Sequence, residues 1–234
     1  MWNRYSYVGN RPIILNDPTG HEGGDCYDRG YCQKDYRDLT AWLVLAAVDI
    51  TNSPEMQNIK VLNTFGGDGG LGGKITAFWE FKGLVGDGKK YDVKDEIKNQ
   101  LGNKTKIGDQ WFEYSTAGNI LYGFYGRAVG FSKTELRAGA GYAQWADYKR
   151  DPKNGVGPCD SKHFCDTKVD YYAVGFGMYL YDEYYERDNQ LTQTDLLEAM
   201  EKYQDIDKMD VVNAPKTFRP QRSYYPANQF YHME

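Results

Sequence analysis

Residues Gly118–Trp145 read GNILYGFYGRAVGFSKTELRAGAGYAQW, and the reading of this stretch decides the architecture. Gly123, Gly126 and Gly130 recur at three- and four-residue spacing, as do Tyr122, Tyr125 and Val129. That period is helical. Each interior glycine weakens a helix by about 1 kcal/mol relative to alanine. A run of them therefore implies either close backbone packing or room kept for a ligand. Ser132 and Glu135 form an S-x-x-E capping box, which predicts a second helix starting at Lys133. Arg127 is a guanidinium in the middle of this otherwise apolar pair of helices.

Working outward, the chain has 234 residues, enough for one substantial domain with extensions. No apolar run approaches the roughly 20 residues of a membrane span, so a soluble domain is expected. The opening Met1-Trp2-Asn3-Arg4-Tyr5 is followed by no apolar signal region. Export would then rest on another device or on a parent polypeptide. Lysine and arginine total 28 against 33 aspartate and glutamate, a net charge of −5. That balance counts against a non-specific nucleic-acid binder, which is usually basic. The 21 tyrosines suit polar-tipped packing or a surface that stacks sugars or bases.

The pattern predicts a mainly α fold (α+β with a short β-hairpin). Asp38 or Thr40 can cap a first helix whose apolar face carries Leu39, Trp42, Leu43, Leu45 and Ala46. Ser53-Pro54-Glu55 opens a second. The glycine run from Phe65 to Lys74 fails the phosphate-loop pattern, with Asp68 at the first glycine position and Ile75 after the lysine, and reads as a linker. A helix over Ile75–Val85 follows, with Trp79 among its packing residues, then a solvated charged helix over Asp95–Gln100. Ile107–Tyr114 reads as a strand or hairpin, Asp166–Tyr185 as a long helix, and Leu196–Tyr203 as a last helix capped by Thr192 or Thr194 with Asp195. Residues from Val211 onward, with Pro215, Pro220 and Pro226, read as extended or disordered.

Three pieces could carry chemistry. Asp166 and Asp170, four apart, would share one helix face, where paired carboxylates can do acid–base work or bind a divalent metal. Should Asp166 instead cap the helix, Asp170 is a first-turn carboxylate favoured by the dipole. Arg127 must find an anion, which can be Asp166, Asp170, Glu135 or a substrate phosphate. Asn119 either caps the first central helix or orients a substrate. The cysteines fall as Cys26/Cys32 and Cys159/Cys165, two C-x5-C pairs. Zinc sites prefer shorter spacings. Disulfides fit better and would place the working protein outside the cytosol, with the pairing open. His163 is the only histidine between residues 38 and 206, so serine–histidine or cysteine–histidine mechanisms have little support and it reads as an exposed loop residue.

Residues 3–20, NRYSYVGNRPIILNDPTG, resemble the C-terminal end of an Rhs or YD-repeat core. In that family such a segment closes a β-shell, and the aspartate of its DPxG motif serves self-cleavage. The matching residues are Asp17, Pro18 and Gly20, with His21 where a hydrophobic residue is usual. The segments NILYGFYGRAVGFS (119–132) and AGAGYAQ (138–144) are similar to the polymorphic-toxin type 44 family, found as C-terminal warheads on Rhs and other secreted carriers. Weaker matches are DLTAWL (38–43), YDVK (91–94) and DTKVD (166–170). The chain departs from the family pattern at Ser115 and Leu121, where that pattern has an aspartate and a histidine.

The resemblance implies an Rhs-core segment at 1–21, a linker at 22–37, a toxin domain at 38–206 and a tail at 207–234. It implies a secreted toxin for competition between bacteria, delivered to a target cell, with an Rhs shell and a cognate immunity protein as partners. The first expectation is a nuclease acting on RNA, with Arg127 and Lys94 on phosphate, Tyr122 and Tyr125 lining the site, and Asp170 with Asp166 or Glu135 as acid, base or metal ligands. The alternatives are a peptidoglycan-directed hydrolase, which needs only two carboxylates, and a non-enzymatic carbohydrate-binding or adhesin-like tip.

Overall fold

In a computed structural model, residues 38–65, 71–150 and 161–213 are described. Asp17, Pro18, Gly20, Cys26, Cys32 and Cys159 lie outside these residues. The order is α1 (Thr40–Thr51), α2 (Pro54–Phe65), α3 (Leu71–Val85), α4 (Lys94–Leu101), β1 (Lys104–Ile107), β2 (Gln110–Glu113), α5 (Ser115–Ala128), α6 (Lys133–Arg150), α7 (Lys168–Leu180) and α8 (Gln193–Lys202). The mainly helical class with one antiparallel hairpin is borne out.

The two central helices and α7 form the heart of the domain. Contacts advance together along α5 and α7: Asn119 meets Asp170, Gly123 meets Val174, and Arg127 meets Asp182 just beyond α7. The helices therefore run parallel, with both N-termini at one end. They approach so closely that a Cβ on Gly123 would lie 2.2 Å from the Val174 carbonyl oxygen, and one on Gly177 1.9 Å from that of Ile120. Phe124 then fits edge-on against Tyr181 and Tyr185.

The hairpin stitches the two ends of the domain together. Leu39 donates its amide to the Lys106 carbonyl of β1, while β2 exchanges Glu113 N–H to Asp210 O and Val212 N–H to Trp111 O with the C-terminal segment. Met209 is buried beside it. This pairing ties residues through Val212, past the boundary expected at 206, to the hairpin.

Caps expected from the sequence form where a short side chain precedes a helix. Ser132 and Glu135 close their box on α6, and Thr192 and Asp195 close one on α8. Ser53 accepts the Met56 amide at the start of α2. Four expectations need correction. At α1, Leu39 occupies the cap position and Asp38 accepts from the Thr40 amide and hydroxyl, while Leu45 faces water. α3 begins at Leu71, so Gly72 and Gly73 form its first turn rather than linker, and its Ile75 and Trp79 are exposed. α4 is not wholly solvated, since Ile97 and Leu101 are buried on one face. The long helix starts at Lys168 and passes into a π-helical turn, Tyr181–Tyr185.

The α5–α7 contact generates a stability prediction. Gly177→Ala should lower stability by about 1–3 kcal/mol through backbone overpacking, despite alanine's better helix propensity. Thermal unfolding of the full chain tests this, and a raised melting temperature would show that the helices have room to spare.

Candidate active site

A cleft of about 530 Å³ opens between α3, the α3–α4 connection, the N-terminal half of α5, α6 and the start of α7. Of the expected site residues, Asn119, Asp166, Asp170, Lys94, Tyr122 and Tyr125 all line it. Among the described residues, Arg127 and Glu135 do not.

The two aspartates meet by a route the spacing did not suggest. Thr167 is the cap of α7, accepting the Asp170 amide on its hydroxyl at 3.1 Å. Asp166 stands before the helix and takes the Thr167 amide on its own carboxylate at 2.9 Å. They are therefore not neighbours on one helical face, because the capping turn intervenes. Asn119, in the second turn of α5, is buried and donates its amide to Asp170 at 2.5 Å. This replaces the capping role expected of it. Parallel packing of α5 and α7 is what puts Asn119 and Asp170 on the same level.

Burial pushes the Asp166 carboxyl up to about 7, and the charge of Asp170 pushes in the same direction. Its bond from the Thr167 amide and the charges of Lys94 and Arg137 temper the rise. Near neutrality, then, Asp166 exchanges a proton. A carboxyl raised in this way is suited to act as a general acid at neutral pH. Asp210, on the segment bound to β2, is also raised by burial and by Asp170.

Lys94 reaches the cleft by lying across α5. A Cβ at Gly118 would stand 2.6 Å from its Cγ, so only glycine leaves room for the lysine stem. Tyr122 and Tyr125 form the inner wall, with hydroxyls donated to the Leu136 and Ala46 carbonyls. Burial raises both phenols above their ordinary range. Among the described residues the cleft is lined by five aspartates (87, 92, 147, 166 and 170), three lysines (82, 89 and 94) and no arginine.

Arg127 finds its anion elsewhere. Its Nε donates to Asp182 at 2.7 Å and its Nη1 to the Phe131 carbonyl at 2.7 Å, while Lys133 binds the other Asp182 oxygen at 2.8 Å. The cause is the π-helical turn, which brings Asp182 onto the end of α5. Glu135 is occupied by the α6 cap and by Lys74 at 3.2 Å. His163, expected exposed, is half-buried, with its ring edge-on to Tyr171 and Tyr172. Cys165 is in a disulfide. Among the described residues no group of three or more histidine, cysteine, aspartate or glutamate side chains is placed to hold a metal ion.

Sequence reasoning missed Arg137. It is half-buried, its guanidinium lies 3.6 Å from the Tyr171 ring centroid, and its charge is felt at Asp166. A second arginine one turn into α6, beside buried Leu136, was the available signal.

Residues 80–183 match the family model of bacterial toxin 44. That span contains all of the aspartates and lysines that line the cleft. No curated protein and no solved structure matches the chain. Among the described residues no helix is long and apolar enough to cross a membrane.

Two predictions follow from this geometry. The folded pKa of Asp166 is about 7 against an ordinary 3.8. Its contribution to stability is therefore fully present below the ordinary value and is lost as pH rises through 7. Melting temperature should fall between pH 5 and pH 8, and Asp166→Asn should flatten that decline; an undiminished decline in the variant would assign it to other groups. Breaking the partly exposed Arg127–Asp182 bridge should cost about 2 kcal/mol. In denaturant titrations Arg127→Ala and Asp182→Ala should lose similar amounts, with the double variant losing little more. Fully additive losses would mean that the two residues act separately.

Proposed function

We propose that this toxin domain is an acid–base hydrolase that cuts the glycan of the bacterial cell wall. The observation that carries the reading is Asp166, raised to about 7 beside Asp170, which Asn119 holds in place. Protonated Asp166 gives its proton to the leaving glycosidic oxygen. Asp170 takes the proton of the attacking water, and its charge stabilises the cationic sugar that develops between them. Neither step needs a histidine.

The lining charges support a substrate without a dense phosphate backbone, since among the described residues aspartates outnumber lysines and no arginine lines the cleft. The disulfide at Cys165 fits work outside a reducing cytosol. Delivery from an Rhs-type carrier and restraint by a cognate immunity protein complete the proposal, both drawn from the sequence resemblance. Hydrolysis of RNA is the second reading, favoured by Lys94 beside the carboxylates. There the lysine would hold phosphate and the same aspartates would move the protons.

Incubation of the full chain with purified peptidoglycan sacculi and, separately, with RNA distinguishes the two. New reducing ends should appear from sacculi while RNA stays intact. Asp166→Asn and Asp170→Asn should each lower the rate by about 10²–10⁴-fold. The wild-type rate should fall as pH rises through 7 and Asp166 loses its proton. Degraded RNA beside untouched sacculi would overturn the glycan assignment in favour of the nuclease.

A further inference from the structure

The mouth of the cleft carries large rings that the proposed chemistry does not use. Trp79 on α3 is 57% exposed, and Tyr142 and Trp145 on α6 are 49% and 41% exposed. They are not scattered. Tyr142 and Trp145 lie with ring centroids 6.0 Å apart, and the Lys82 ammonium stands 5.1 Å from the centroids of both Trp79 and Tyr142. This lysine ties α3 to α6 and fixes two rings relative to each other. Trp79 and Lys82 themselves line the cleft that holds Asp166 and Asp170. Tyr142 joins that edge through Lys82, and Trp145 follows through its contact with Tyr142.

Tryptophan and tyrosine bring large apolar area to a surface at low entropic cost, and a grouped exposed set marks a binding site rather than a packing accident. Two kinds of polymer stack on such rings, sugars through their C–H faces and nucleobases through their π-faces. Sites for single-stranded nucleic acid add a positively charged groove to the rings. This row instead leads into a cleft with five aspartates against three lysines. The charge favours a sugar chain.

We infer that Trp79, Tyr142 and Trp145, braced by Lys82, form a sugar-stacking platform that holds the glycan strand beyond the residue being cleaved. The inference rests on the cell-wall hydrolase reading for its substrate class, but binding can be measured without turnover. The platform would make the domain selective for polymer over short fragments, because only a chain longer than the cleft reaches the rings.

The test uses the full chain carrying Asp166→Asn, so that sacculi are bound without being consumed. Trp79→Ala and Tyr142→Ala in that background should each weaken co-sedimentation with sacculi at least tenfold, with the melting temperature unchanged because both rings are exposed. In the active chain Tyr142→Ala, whose ring lies outside the cleft lining, should raise KM on long glycan at least tenfold and leave turnover of a short N-acetylglucosamine oligomer unaltered. Binding of sacculi by the ring variants equal to that of the parent would overturn the platform, even with hydrolysis intact. Loss of binding to polyadenylate rather than to sacculi would overturn it in favour of a nucleic-acid surface. Ring-dependent binding of sacculi without any hydrolysis by the wild type would uphold the platform and sink the hydrolase.

Discussion

The structure depends on how closely α5 and α7 approach. Two helices carrying ordinary side chains stand 8–10 Å apart, whereas here Gly123 and Gly177 bring each helix against the other's carbonyl groups. The cost in helix propensity, about 1 kcal/mol per glycine, is offset by contact over nearly the whole length of both helices. Parallel packing has an electrostatic consequence. Both helices present their N-termini, with their partial positive charge, at the same end of the domain. That end holds Asp166, Asp170 and the amide of Asn119, so the backbone favours negative charge where the cleft places it.

The carboxylates then differ because their surroundings differ. Asp170 belongs to the first turn of α7 and is held by an amide from the neighbouring helix. Asp166 sits one turn earlier, raised by its burial and facing a charge of its own sign. Lys94 and Arg137 limit the rise without cancelling it. Arg127 serves a different end. By joining Asp182 and the Phe131 carbonyl, it locks the α5–α6 turn onto the π-helical turn after α7 and so fixes the far end of the helix pair.

What could be read from the sequence was local. The boxes Ser132–Glu135 and Thr192–Asp195, and Pro54 after Ser53, mark helix starts because the bonding partners lie three residues apart. The glycine spacing at 123 and 126 announced close packing, and α5, α6 and α7 bear it out. Partners remote in sequence were hidden. Nothing near Asn119 indicates that its acceptor is Asp170, 51 positions away, and nothing near Arg127 points to Asp182. The spacing of Asp166 and Asp170 suggested one helical face, yet Thr167 takes the cap, as a β-region hydroxyl before a helix can. Trp79 read as a core residue since hydrophobicity alone does not say which face of a helix meets water. That α4 carries Lys94 to the cleft over Gly118 could only be seen in three dimensions.

The proposed chemistry depends on the raised carboxyl of Asp166 beside Asp170. Carbon-13 NMR of the side-chain carboxyls across a pH titration observes it directly. Asp166 should titrate near pH 7 in the wild type and at lower pH in Asp170→Asn, where the neighbouring charge is gone. A midpoint for Asp166 close to that of an ordinary aspartate, unmoved by the Asp170 substitution, would contradict the proposed division of acid and base.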